Sequence, residues 1–490
     1  MCFADDETHV IRFGPFQIDP RTWLLTRDNQ PVDLSPRLVE ILGFIVSRSG
    51  QIVTKDELLE KFWPDVNVTE NTLTRAIADI RKAINDDASE PKFLETASRR
   101  GYRFVGTQGT PGAPGADPFK EWVRGRLALD SLDGTKLDEA VRAFETTTAE
   151  LPGYAPAHAG LANAYLLQYE RTRFGSVPDR DLLARAMSAA RQASTLDPSL
   201  GEAWAVLGYL LCAAGRTEEG QAAARRATAL EPENWRHHYR LAYGSWGEER
   251  LRAVDRTLAS MPGFAPARML SVMVFVARAT MDRAERETSI GVETQRQNQS
   301  HQTPLPAVGF HWLRGMILAT QGDRAGALAC FTEEIAAGES GHVYATEFVV
   351  NARVASGFTQ LAQNDVAAAT TAFAAALADA PSHPKATVGI YAIAARSNVR
   401  AEIDRCRAAT DVSIAELIRS ERHPEAALVS AGAQLVRGEI DQAIATLDRL
   451  LTSAPPGPAG WIIPIDPMLA AIHENRGKQA LFARLAARAA

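Results

Sequence analysis

From Phe119 onward the chain repeats one design about every 34 residues, and a period of that length permits few folds. The clearest unit begins at Gly201. Trp204, Leu207, Gly208 and Leu211 fall on one face of a helix, Gly220, Ala224 and Ala227 follow on a second helix, and Pro232 closes the unit. The pattern has a steric logic. Gly208 lets the paired helix approach, Trp204 and Leu211 fill the gap beside the contact, and the proline stops the second helix. One such pair cannot bury its apolar face alone, so neighbouring pairs must stack.

Other units carry the same marks. Leu161, Ala162 and Tyr165 precede Ala186, Ala193 and Pro198, with extra residues around 170–181 that predict a longer turn. Ala140, Phe144 and Pro152 mark an earlier second helix. Later units fall at Gly315, Leu318, Ala327 and Phe331, at Gly357, Ala369, Phe373, Ala376 and Pro381, and at Gly432, Leu435, Ala443, Leu447 and Pro455. Weaker matches occupy 235–262 and 265–291. The spacing resembles the tetratricopeptide repeat, which implies an α-solenoid that binds a partner or ligand. The polar stretch 293–303 predicts two lobes divided near 293–306, and the helix over 478–490 reads as a terminal cap. Groove positions of the first helices include Asn163, Leu167, Glu202, Ala205 and Tyr209. Only Asn163 suits a clamp for a peptide carboxylate, so that mode is not expected. Trp204, Trp235, Trp246 and Trp312 read as core or groove wall, and His237, His238 and His301 as packing or surface residues.

The first 106 residues follow other periods. VIRFGPFQID and TWLLTRDNQPVDL alternate apolar and polar residues around Gly14–Pro15 and Asp28–Asn29, predicting four short strands in a meander. Leu38, Ile41, Leu42, Ile45 and Val46 then define a helix opened by Ser35 and Pro36 and stopped at Ser49–Gly50. Thr54 with Glu57 forms a capping box for a second helix whose core face is Leu58, Leu59 and Phe62. Pro64 ends it. After a loop, Thr69 or Asn71 caps a third helix that buries Leu73, Ile77, Ile80 and Ile84. Phe93 and Leu94 start a wing strand whose partner holds Tyr102, Phe104 and Val105. A helix pair followed by a basic hairpin is a winged helix-turn-helix.

The opposite face of the third helix presents Asn71, Thr72, Thr74, Arg75, Ala78, Asp79, Arg81 and Lys82. An arginine in its first turns suits bidentate contact with guanine, and Asn71 or Thr74 suits base edges or phosphates. The hairpin tip carries Ser98, Arg99 and Arg100 beside Gly101, which predicts contact with phosphates or a minor groove. The competing reading makes Arg75, Arg81 and Lys82 a solvated face paired with Asp79.

Residues 10–105 resemble the effector domain of the OmpR/PhoB family of response regulators, and especially its CadC-like branch. LSPRLVEIL, GQIVTKDELLEKFWPDVNVTENTLTRAIADIRKAI and ETASRRGYRFVG carry the resemblance in order. It implies that the third helix enters the major groove and the wing touches the minor groove. It also implies that the loop from Trp63 to Thr69, with Asp65, Asn67 and Glu70 exposed beside the promoter, contacts RNA polymerase. Two departures matter. Ala78 and Asp79 stand where phosphate-responsive members have arginines, and the family's wing arginine falls on Ser98, so the family's DNA sequence does not carry over. No receiver domain is expected before Val10, and a linker stands where CadC-like sensors have a membrane helix. That layout looks like HilA-type virulence activators.

Charge bounds the partners. The chain has 53 Lys+Arg against 59 Asp+Glu, a net charge of −6. Residues 1–108 hold 14 basic and 17 acidic residues, a balance of −3, so DNA affinity must come from a local patch. Cys2, Cys212, Cys330 and Cys406 show no metal-ligand spacing, and no cofactor or metal is expected. The acidic start is not a secretion signal, and no apolar run is long enough to span a membrane. Walker A, GxGxxG, GxSxG and HExxH motifs are absent, so no enzyme is expected. The expectation is a mainly α cytoplasmic regulator, with no membrane partner. An α+β winged helix-turn-helix occupies 1–106, a Gly/Pro-rich linker 107–118, and a tetratricopeptide solenoid 119–490. The first binds double-stranded DNA, the last a protein, peptide or small-molecule effector or a second copy of the chain. The rival is an interaction scaffold whose winged helix docks on protein.

Overall fold

A computed structural model of the chain describes residues 11–19, 23–27, 30–63, 70–97, 100–106, 118–172, 177–299, 307–338, 342–397 and 399–490. The chain divides into two units, Met1–Val123 and Arg124–Ala490. The boundary falls inside the helix Pro118–Asp130, past the expected linker, most of which (107–117) lies outside the described residues.

In the first unit, Ile11–Phe13 (β1), Phe16–Asp19 (β2), Leu24–Arg27 (β3) and Gln30–Pro31 (β4) form the expected antiparallel meander. Pro36–Ser47 (α1) starts at proline, and Ser35 caps it without a side-chain hydrogen bond. Lys55–Phe62 (α2) has both halves of the Thr54–Glu57 capping box, and Glu57 also accepts from Arg48 at 2.8 Å. Glu70–Ile84 (α3) buries Leu73, Ile77, Ile80 and Ile84 as its period requires.

The wing has one strand more than expected. Ile52–Thr54 (β5) pairs with Gly101–Phe104 (β7), which pairs with Leu94–Ala97 (β6). Gly101 faces Thr54 so closely that a Cβ there would meet the Val53 carbonyl oxygen at 1.9 Å, so only glycine fits. Val105 lies beyond β7, its N–H bonded to the Phe93 carbonyl at 2.9 Å. Phe13 joins meander to wing: its ring centroid lies 5.3 Å from Phe16, 5.4 Å from Phe93 and 5.3 Å from Phe104.

The second unit is a run of antiparallel helix pairs. Ala155–Glu170 (α4) pairs with Arg180–Leu196 (α5), Gly201–Ala213 (α6) with Thr217–Leu230 (α7), and Trp235–Gly244 (α8) with Gly247–Ser260 (α9). Ala265–Ala277 (α10) and Met281–Gln299 (α11) follow, then Phe310–Thr320 (α12) with Arg324–Ala337 (α13) and Ala345–Ala362 (α14) with Val366–Asp379 (α15). Pro384–Ala394 and Arg400–Arg419, His423–Val436 and Ile440–Ser453, and a final Lys478–Arg488 complete the run. Gly208 approaches the second helix as its spacing predicts: a Cβ would lie 2.7 Å from the Gly220 oxygen and 2.9 Å from the Ala224 nitrogen. Elsewhere the second helix supplies a ring for the glycine gap, and Phe373 sits against both Gly357 and Gly389.

The expected division near 293–306 is no break in packing among the described residues. Residues 293–299 extend α11, and Val292 packs with Ala265, Ala307 and Phe310. Gln295 is buried and donates to the Glu334 carboxylate at 3.1 Å. Glu334 in turn accepts the N–H groups of Gly309 and Trp312 at the start of α12, at 2.7 and 3.1 Å. The polar stretch hides a helix cap.

His342 and His383 are buried and, among the described residues, make no ion pair. Their Nδ1 atoms accept the N–H of Tyr344 (3.1 Å) and Ala386 (3.3 Å). Burial lowers His342 to about 4 and, with Lys385 and Arg422 nearby, His383 to about 3. The unfolded chain binds protons near pH 6.5 that the folded chain refuses. Stability is therefore full above that pH and falls as pH drops toward 4, by about 1.4 kcal/mol per unit for each group. Urea midpoints of the full chain should fall over that window, and His383→Asn should flatten the fall. An unchanged slope would refute the assignment.

Candidate nucleic-acid interface

The outer face of α3 is what remains after its apolar stripe is spent on the core. Thr72, Thr74, Arg75, Ala78, Asp79 and Lys82 are exposed along it. Arg75 and Lys82 make no ion pair or side-chain hydrogen bond among the described residues, with Asp79 or otherwise, so they stand free on that face. Glu70 and Asn71 belong to the first turn of α3, and their side chains lie outside the described residues.

Arg81 departs from the expected face. It is half-buried and turned to the wing, where its Nη2 donates to the Leu94 carbonyl at 2.9 Å and to Thr96 Oγ1 at 2.8 Å. The reason is geometric: Arg81 stands four residues after Ile77 and three before Ile84, at the edge of the buried stripe, where β6 passes. Its guanidinium fixes the wing against α3. Asp86 adds to the junction by accepting the N–H groups of Lys92 and Leu94 at 2.6 and 2.8 Å.

At the wing, Arg100 is exposed, and its backbone is held on both sides. Its N–H donates to the Ala97 carbonyl at 2.9 Å, and its carbonyl accepts from Lys55 N–H at 3.3 Å. The wing root is thereby tied to the start of α2. Ser98 and Arg99 lie outside the described residues, as do Asp65 and Asn67 of the loop before α3. The loop departs from Trp63, which packs on the core with the Arg37 guanidinium 4.8 Å from its ring. Arg37 was not singled out from the sequence. Its position on α1 gives no periodic signal for a contact so far along the chain.

Removing Arg81 should act on stability. Arg81→Ala deletes two hydrogen bonds, a partly buried one to Leu94 and an exposed one to Thr96, together on the order of 1 kcal/mol or more, and should lower the denaturation midpoint of the N-terminal unit. Arg75→Ala, on the free face, should leave it within about 0.5 kcal/mol. Equal losses in a denaturant titration would contradict this assignment of the two arginines.

Residues 29–104 match the family described as "Transcriptional regulatory protein, C terminal". The "Transcriptional activator CadC" of Escherichia coli (strain K12) is 31% identical over 97 residues, which are 20% of this chain and 19% of that protein. The chain thus spans about a fifth of that relative's length. Among solved structures, the Klebsiella pneumoniae RstA DNA-binding domain in complex with RstA box is 30% identical, covering 20% of this chain and 96% of that one, with a TM-score of 0.18. A tetratricopeptide repeat protein from Parabacteroides merdae is 15% identical, covering 61% of this chain and 99% of its own, with a TM-score of 0.36. The meander, the three helices, the three-stranded wing and the matched segment agree, and residues 29–104 belong to the OmpR/PhoB-type winged helix domains.

Proposed function

We propose that the chain is a DNA-binding transcriptional regulator. In this reading α3 lies in the major groove of double-stranded DNA, and Ser98, Arg99 and Arg100 of the wing meet phosphates or the minor groove. The observation that carries it is the outer face of α3, where Arg75 and Lys82 stand exposed and, among the described residues, unpaired on a domain whose overall charge is negative. A net acidic domain does not gather DNA by its general field, so a local pair of free cations beside small polar residues is the feature that supports sequence reading. Regulators aligned with the same segment point the same way.

Footprinting of the full chain on the promoter of its own operon tests this. A protected site at physiological salt is expected, Arg75→Ala costing about 1–3 kcal/mol and relaxing one base position. Arg99→Ala should weaken all sequences alike and lower the salt slope by about one unit. Salt-sensitive smearing without a footprint would favour the rival reading, a scaffold whose winged helix docks on protein.

The repeat domain, in this proposal, receives a protein, peptide or small-molecule signal or pairs two copies of the chain, and 107–118 serves as the linker between reader and receiver. The loop after Trp63 is assigned to RNA polymerase, through Asp65, Asn67 and Glu70. Its anchor supports that use: Trp63 is held on the core while the acidic residues follow it in sequence. Asp65→Ala should bind DNA normally and fail to activate in a reconstituted transcription assay. Normal activation by that variant would remove polymerase contact from the proposal.

A further inference from the structure

The run of helix pairs frames a half-open cavity of about 580 Å³ in the second unit. The volume is in the range of small-molecule sites. Its walls come from helices far apart in sequence. Tyr209 of α6 and Tyr243 of α8 stack at 3.7 Å, Tyr239 stands one turn before Tyr243, and Tyr344 and Trp461 arrive from later in the chain. Aromatic rings on several sides offer π faces to a cation or an apolar body.

The charged groups of the wall are of unequal standing. Arg250 is 1% exposed, and no carboxylate pairs with it among the described residues. Its Nε donates to the carbonyls of Ala242 (2.9 Å) and Ser245 (2.8 Å), and its Nη2 to Tyr243 (3.0 Å). These carbonyls end α8, so the guanidinium is spent on a helix C-terminus and stacks on Trp246 at 4.7 Å. Glu425 faces Arg422 at 3.3 Å. Glu347 lines the cavity with no ion pair among the described residues. The carboxylate offered to an occupant is therefore that of Glu347.

A polar atom also waits in the wall. His342 is 6% exposed and lines the cavity, and its Nε2 has no hydrogen-bond partner. Because Nδ1 accepts the Tyr344 N–H at 3.1 Å, the ring proton sits on Nε2, which is a buried donor without an acceptor. Burial keeps the ring neutral, lowering it to about 4.

We propose that this cavity binds a small organic ammonium with an aromatic body, its cation held by Glu347 against the tyrosine rings and an oxygen acceptor of its far end taken by His342 Nε2–H. The inference rests on the reading of the repeat domain as a receiver of signals, and names the chemistry it would receive. No covalent step is involved.

The test uses tyramine and two analogues of its shape, the neutral 2-(4-hydroxyphenyl)ethanol and the anionic 3-(4-hydroxyphenyl)propionate, with phenethylamine as the probe that lacks the phenol oxygen. Calorimetry on the full chain should show saturable tyramine binding, with both analogues weaker by about tenfold or more. Glu347→Gln should weaken tyramine by a similar factor and leave the neutral probe unchanged, while its unfolding curve without ligand matches the parent. His342→Gln should weaken the phenol-bearing probes relative to phenethylamine. Absence of saturable tyramine binding, or equal binding of the propionate, would overturn the site. Operator affinity measured with and without tyramine separates the two claims. Binding that leaves DNA affinity unchanged keeps the site and removes the signalling role, whereas lost tyramine binding beside an intact footprint removes the site alone.

Discussion

The second unit depends on how closely two helices of a pair can approach. At Gly208 the facing backbone is so near that no side-chain carbon fits, and Gly220 and Ala224 answer it across the contact. Where a ring replaces that contact, as with Phe373 between Gly357 and Gly389, small residues on both neighbours make room for it. The array also curls back on itself. Val343 N–H reaches the Leu132 carbonyl at 2.9 Å, Arg180 reaches the Ser420 carbonyl at 2.9 Å, and Arg278 reaches the Ala489 carbonyl at 2.6 Å. The cavity exists because of that closure: its walls join residues from 170 to 462.

The winged helix is governed by a different constraint, the register of a small sheet. Gly101 allows β7 to lie against β5, β5 leads straight into the Thr54 cap of α2, and Arg81 draws β6 onto α3. The wing and the exposed face of α3 are thus held in one frame by side chains that never leave the domain. The free cations are the ones the fold did not need.

Periodicity made much of this legible. The meander, three helices, the capping box and the buried stripe of α3 follow from spacings of two and three to four residues, and the repeat follows from proline, glycine and alanine at fixed offsets. Three features were not legible, each for a physical reason. β5 is three residues long, too short to show alternation, and it is defined by a partner nearly fifty residues away. Arg81 shares the polar face of α3 in sequence, but its acceptors lie on β6, which no helical period can locate. Residues 293–299 look like a polar interruption because Gln295 is polar, yet Gln295 is buried by a carboxylate from α13. Of the candidate interface, the exposed face of α3 was readable; the loop and wing tip at 64–69 and 98–99 lie outside the described residues.

The groove positions read from the sequence divide by fate. Asn163 donates to Glu202 at 3.1 Å and accepts from Arg240, while Arg126 closes on the same glutamate. Burial opposes the charge on Glu202, but Arg126 and Arg240 hold it below the usual carboxylate range. A partly buried ion pair of this kind is costly to break, because the survivor is left charged and poorly solvated. These residues therefore lock one repeat to the next and are not free to grip a peptide. Tyr209, from the same groove face, is stacked on Tyr243 and lines the cavity instead. One part of the inner surface is thus sealed by paired charges, and another is lined by aromatic rings around a cavity.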